Sequence, residues 1–291
     1  MAGIVDAALL APAAVALTMQ FGITNYVNFA FGSFLTLSAF LFYELDTAFG
    51  FNLWQAGLIA AALNAIAMLA IGAVVYGPFY SRRPQLLYML VLTFVVSLMM
   101  DSAIAAIWSG RSAYQLNYPN GYETPFTLGP IFVSPLDASY VVISILILGA
   151  TYLFLRFTRV GKVMRAVSDD RSLALVCGLP IQRTTNVTWL VTGFLGGIAG
   201  DILALHSHGF DTGLGAGFIY LVFAVVVFGG IGRTYGAVVG AIVLGLVFQL
   251  SSLVVDSSLT PAAVFAVLVV VMMIRPNGIF GTTGRATFVA S

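Results

Sequence analysis

Apolar residues run along this chain in long blocks separated by short polar interruptions, and the blocks lack the period of two that a membrane β-strand requires. Leu53 to Pro78, Leu86 to Gly110, Ser139 to Leu155, Thr184 to Leu205, Tyr235 to Val255 and Pro261 to Ile274 reach or approach the roughly 20 residues that a helix needs to cross a bilayer. The pattern predicts helices near 7–22, 28–45, 54–77, 86–108, 139–157, 184–205, 218–231, 235–255 and 261–274. About nine spans result, within a range of eight to ten, because 218–231 is short enough to be a broken or re-entrant helix. The expected fold is an all-α polytopic membrane protein, a single transmembrane domain over 1–291.

Composition agrees. Hydrophobic residues make up 60% and charged ones 8% of the 291 residues, whereas soluble domains carry roughly 25% charge. The first apolar block has neither a basic flank before it nor a small-residue cleavage site after it, so a retained helix is expected and no signal peptide. The lone Cys177 excludes internal disulfides and any multi-cysteine metal site. A net charge of +1 gives no sign of a nucleic-acid partner.

The polar interruption from Arg156 to Arg183 differs from the rest, because six of the twelve basic residues and two of the eleven acids fall within it. Ser168 stands where a cap is needed, Asp169 and Asp170 beside the positive end of a helix dipole, and Leu173, Val176 and Cys177 at helical spacing. Gly178 then offers a left-handed terminator and Pro180 prevents resumption. A helix of about nine residues follows, too short to span and built to dock.

Alternating sides at each predicted span places eleven of the twelve basic residues together, with only Arg111 opposite. By the positive-inside rule the N-terminus is outside and the C-terminus cytoplasmic in a cell (inner or plasma) membrane. Asp6, Glu44, Asp46, Glu123, Asp137, Asp211 and Asp256 gather outside. There the loop from Arg111 to Asp137, rich in Tyr and Pro, either caps helix ends or meets an external partner. Glycines four apart (Gly193 and Gly197, Gly196 and Gly200, Gly236 and Gly240) point to close helix packing.

Catalytic chemistry is not legible. His206, His208 and Asp211 fit an ordinary polar loop better than a metal site, and GGIGRTYG at Gly229 to Gly236 fits a sharp bend between membrane helices better than a phosphate loop. Two polar features stand inside the apolar blocks. Asp101 belongs either to a substrate or proton path or to a structural hydrogen-bonded group with Ser97 and Ser102. Thr24, Asn25, Asn28, Ser33, Thr36 and Ser38, interleaved with phenylalanines, suggest a wet path or helix–helix bonding.

NFAFGSFLTLSAF at Asn28 to Phe40 resembles the NFAxG segment of the permease subunits of branched-chain amino acid ABC importers, and TRVGKVMRAVSDDRSLALVCGLPIQR resembles their cytoplasmic coupling loop. FGGIGRTYGAVVGAIVLG at Phe228 to Gly245 and IRPNGIFG at Ile274 to Gly281 match two further signatures in order, so the resemblance covers nearly the whole chain and points to the shorter permease subunit. Where that family commonly has His, Glu and Gly, this chain has Phe31, Ser33 and Ser38.

The resemblance implies a non-enzymatic subunit without cofactor, paired with a second homologous permease, two cytoplasmic ATPase subunits and an external substrate-binding protein. The cargo expected is a branched-chain or other hydrophobic amino acid, with urea, amides or small organic acids as the alternative. Asn25, Asn28, Gly32, Ser33, Thr36 and Asp101 are the expected path residues. Arg165, Ser168, Asp169, Asp170, Arg171, Ala174, Val176 and Gly178 are expected to couple to the ATPase, the two arginines as polar contacts and Ala174 and Val176 on the helix's buried face. A secondary transporter or channel using Asp101 is the competing class.

Overall fold

In a computed structural model, described over residues 2–81, 85–108, 126–128, 131–207, 209–252 and 259–281, the chain is helical almost throughout. Its elements are α1 (Ala2–Thr24), α2 (Phe31–Thr47), α3 (Leu53–Ile71), α4 (Gly77–Ser81), α5 (Leu86–Ile107), β1 (Phe126–Leu128), β2 (Ile131–Val133), α6 (Pro135–Phe157), α7 (Arg159–Asp169), α8 (Arg171–Val176), α9 (Ile181–His206), α10 (Leu214–Gly229), α11 (Thr234–Ser252) and α12 (Thr260–Ile274). The two three-residue strands form one antiparallel pair. Among the described residues, six helices are long and apolar enough to cross a membrane: α1, the continuous stretch Leu53–Phe79, α5, α6, α9 and α11. Arg82, Arg83, most of the loop from Arg111 to Asp137, His208, Asp256 and Arg285 lie outside the described residues.

Two helices form the centre. The most apolar window of α1 is 83% buried and that of α9 is 78%, against 22% for α5 and 17% for α6, so α1 and α9 are the axis and α5 and α6 the periphery. Small residues make the axis possible. A side chain on Gly197 would stand 2.6 Å from the Ala61 Cα of α3, and one on Gly200 would stand 2.4 Å from the Leu35 carbonyl of α2. The spacing of four therefore serves close approach on two faces of α9, as the sequence suggests. The third pair works likewise: Gly236 lies against the Gly229 backbone and Gly240 against the Val225 carbonyl, closing α10 onto α11.

Contacts fix which helix ends lie together. Gly3 meets Leu246 and Gln249 near the end of α11, whereas Gly22 meets Ser168 and the Gly232 carbonyl at the opposite end. Asp6 senses the charge of Asp137 in the first turn of α6, and Trp108 donates to Glu44 at 2.8 Å. Acids thus collect where α1 begins. At its other end stand Arg156 in the last turn of α6, the α7–α8 segment, Arg233 between α10 and α11, and Arg275 at the end of α12.

Several boundaries differ from expectation for local reasons. The helix predicted from residue 28 starts at Phe31, because Asn25 takes the left-handed conformation (φ 58°) and residues 25–30 run irregularly between α1 and α2. The span near 54–77 contains a π-helical turn, Gly72–Tyr76, where Gly72 lies against the Trp189 ring and could not hold a side chain without displacing it. The segment near 218–231 begins earlier, at Leu214, giving a 16-residue helix.

Candidate coupling and translocation site

The central polar stretch folds into two helices where the residue pattern suggests one. Thr158 joins α6 to α7: its hydroxyl donates to the Phe154 carbonyl (2.7 Å) and accepts from the Gly161 amide (2.9 Å). Gly161, Met164 and Val167, spaced three apart, bury one face of α7. At Asp170 the chain turns extended (φ −151°, ψ 107°), and its carboxylate accepts from the amides of Ser172 (2.9 Å) and Leu173 (3.0 Å). Asp170 is therefore the cap of α8, and the expectation of Ser168 in that place with Asp169 in the first turn is corrected: both close α7. A carboxylate preceding two free amides is the stronger acceptor of the available side chains, and the chain breaks there.

The far end of α8 follows the expected rule. Gly178 takes φ 73° after the helix, the Gly178 amide donates to the Leu175 carbonyl and the Leu179 amide to that of Ala174, both at 3.0 Å. This paired closure needs a left-handed residue, which glycine supplies without strain. The expectation that Ala174 faces the ATPase, however, needs correction. Ala174 is 3% exposed and packs into the core of its own chain, but Val176 is 86% exposed, with Leu173 at 60% and Leu175 at 58%. Six residues make fewer than two turns, so only one position can face inward, and Ala174 takes it. Leu173, Leu175 and Val176 form the exposed apolar face of α8.

Three of the four sequence signatures meet at this end of the molecule, together with Asn25 just ahead of the remaining one. A cavity of about 630 Å³ lies between Asn25 after α1, Ser168 to Ser172 of α7–α8, Gly232 and Arg233 of the α10–α11 turn, and Asn277 after α12. Gly230 (φ 100°) and Gly278 approach so closely that a side chain on Gly278 would stand 2.7 Å from the Gly230 Cα, and the Ile279 amide donates to the Phe228 carbonyl at 3.0 Å. Arg171 donates through Nη1 to the Ile23 carbonyl at 3.0 Å, binding α8 to the end of α1. Arg165 is exposed on α7, beside a smaller hollow shared with Arg233.

The expected path residues divide by burial. Asn25 is exposed at the cavity. Asn28 is fully buried, its Oδ1 accepting from the Ala30 amide at 3.1 Å and the Tyr76 hydroxyl at 3.4 Å. Gly32 packs against Gly215 of α10, and the Thr36 hydroxyl accepts from the Gly215 amide at 2.9 Å. Ser33 faces α5, where its hydroxyl lies 2.8 Å from that of Ser97, one turn before Asp101 on that helix. Ser102 is exposed. One acid escaped the sequence reading: Asp201, buried inside α9, accepts from the Ser38 hydroxyl at 2.8 Å. The signal was a single Asp in an apolar run, the same kind that marks Asp101.

Known proteins resemble this chain along nearly its whole length. The high-affinity branched-chain amino acid transport system permease protein LivH of Escherichia coli K12 is 26% identical over 92% of this chain and 90% of its own. The probable branched-chain amino acid transport permease protein LivH of Methanocaldococcus jannaschii is 26% identical over 94% and 89%. The fructose import permease protein FruG of Bifidobacterium longum is 27% identical over 85% and 73%. No solved structure matches. The match to the family model runs over residues 1–275, taking in the first three signatures and ending at the arginine that follows α12, and the chain belongs to the family described as the branched-chain amino acid transport system / permease component.

Proposed function

We propose that this chain is the transmembrane permease subunit of an ATP-driven importer for branched-chain or other hydrophobic amino acids. It works in a cell membrane with a second homologous permease, two cytoplasmic ATPase subunits and an external substrate-binding protein. The observation that carries the reading is the meeting of the coupling loop with the turns after α10 and α12 around one cavity, with a capped, terminated helix at its edge showing apolar residues outward. In this reading α8 docks on the ATPase through Leu173, Leu175 and Val176, Arg165 of α7 adds a polar contact, and Asp170 and Gly178 hold the helix in shape. Arg171 ties that helix to α1. The six membrane-length helices cross the bilayer together with the shorter α2, α10 and α12, the N-terminus outside, the C-terminus and α7–α8 cytoplasmic.

Asn25 and Asp101 reach the surface of the subunit and line the path in this proposal, while Asn28, Gly32, Ser33 and Thr36 hold α2 where it borders that path. Irregular backbone at membrane depth, as at residues 25–30, is tolerated where protein or water surrounds it. Urea, amides and small organic acids remain the alternative cargo, and the fructose permease among the relatives is a reminder that this fold family serves more than one solute class.

The test is reconstitution of the whole complex in proteoliposomes. Leucine uptake should require ATP and the binding protein and should persist when ion gradients are collapsed. Uptake driven by a gradient alone would establish the secondary-transporter reading. For orientation, Cys177 should react with an impermeant maleimide only from the cytoplasmic side, whereas a cysteine replacing Asn120 should react only from outside.

A further inference from the structure

None of the twelve Lys and Arg residues falls within the six membrane-length helices away from their end turns, since Arg156 and Arg183 stand in the last turn of α6 and the first of α9. Two acids do lie well inside. Asp201 is closed off at 5% exposure, but Asp101 is only partly buried, on the surface of a helix otherwise lined by Phe94, Leu98 and Met99. It stands six residues before Ile107, the end of α5, hence about 9 Å below it. Lipid cannot cover such a group at low cost.

The carboxyl is also positioned. Ser97 stands one turn earlier on the same face of α5, and its hydroxyl lies 2.8 Å from that of Ser33 of α2, so Asp101 sits beside a hydroxyl pair that joins the two helices. α2 is fixed in turn by the Gly32–Gly215 approach and the Thr36 bond to α10. A carboxylate has about four acceptor sites, so a hydroxyl pair beside it leaves its outward side open to a further donor.

Resting on the import reading, we propose that Asp101, beside the Ser33–Ser97 pair, is a transient site for the cationic ammonium group of the cargo. An ammonium brings three N–H donors and the compensating charge, and neither α2 nor α5 carries a Lys or Arg that could supply that charge. The site thereby favours aminated solutes over organic acids of the same shape. It holds the cargo weakly, because a path must release what it binds.

The experiment uses the complete complex. In proteoliposomes, Asp101→Asn should lower leucine uptake about tenfold, the loss of one charge-assisted hydrogen bond, and Asp101→Glu should restore most of it. Complex assembly is checked by size exclusion. Independently of uptake, a cysteine replacing Ser102, with Cys177 replaced by serine, reports occupancy. Leucinamide, which keeps the ammonium and loses the carboxylate, should slow its alkylation, and 4-methylpentanoate, which does the reverse, should not; Asp101→Asn should abolish the leucinamide effect. Equal protection by both probes, protection that survives Asp101→Asn, or unchanged uptake in an assembled Asp101→Asn complex would each overturn the site. Should the wild-type complex fail to take up leucine, the import reading falls, while the alkylation arm still decides whether Asp101 binds ammonium groups.

Discussion

Arg171 donates to the Ile23 carbonyl at 3.0 Å, joining residues 148 positions apart. An arginine expected to reach outward to a partner is thus turned inward, onto the last turn of α1 just before the left-handed Asn25. Arg171→Ala should leave the complex assembled but lower substrate-stimulated ATP hydrolysis several-fold, a charged hydrogen bond contributing about 1.5–3 kcal/mol. Full stimulation in that variant would show that the link carries no signal.

The helix end at Gly178 is open to substitution in space but not in backbone conformation, since nothing lies within 4 Å of a side chain there while φ is 73°. Gly178→Val should cost about 1–3 kcal/mol, seen as a lower unfolding midpoint of the detergent-solubilised complex and a loss of stimulated hydrolysis. Gly178→Asn should fall in between, because Asn tolerates the left-handed region better.

Neighbouring substitutions on α8 should fail in different ways. Ala174→Glu places a charge in the chain's own core and should detach the helix, raising the rate of Cys177 alkylation. Val176→Glu should leave that rate unchanged and instead weaken copurification of the ATPase. Identical behaviour of the two variants would contradict the one-sided packing of α8.

Legibility followed from how local the cause was. Gly178 was readable because a glycine before Leu-Pro at the end of a helix has one common use, and Asp101 because an acid in an apolar block always calls for a reason. The break at Asp170 was not, since Ser168, Asp169 and Asp170 can all cap and only the docking of α7 through Met164 and Val167 selects among them. The inward turn of Arg171 depends on a carbonyl far away in sequence. Likewise the π-turn beside Trp189 arises from packing between distant segments, which periodicity along one segment does not record.

The cap itself is testable. Asp170→Ala should destabilise the α8 segment by about 0.5–2 kcal/mol, read as faster proteolysis or amide exchange between residues 170 and 178, whereas Ser168→Ala should leave exchange there unaltered. Greater loss from the serine would restore it as the cap.

Tight helix contact on the other side of α2 allows a paired control. A side chain at Gly215 would stand 1.9 Å from the Gly32 carbonyl oxygen, while one at Gly217 meets nothing within 4 Å. Gly215→Ala should therefore lower the unfolding midpoint, an overpacking cost of about 1–3 kcal/mol, and Gly217→Ala should not.

The α10–α11 hairpin touches backbone to backbone at Gly229, Gly236 and Gly240. Elsewhere in the protein a push can be absorbed as side chains change rotamer between two helices. Here there is nothing soft between them. A force applied at the Gly232–Arg233 turn, where the hairpin borders α8, moves both helices together like a stiff lever, and the far end of α11 lies beside the beginning of α1 at the opposite end of the molecule.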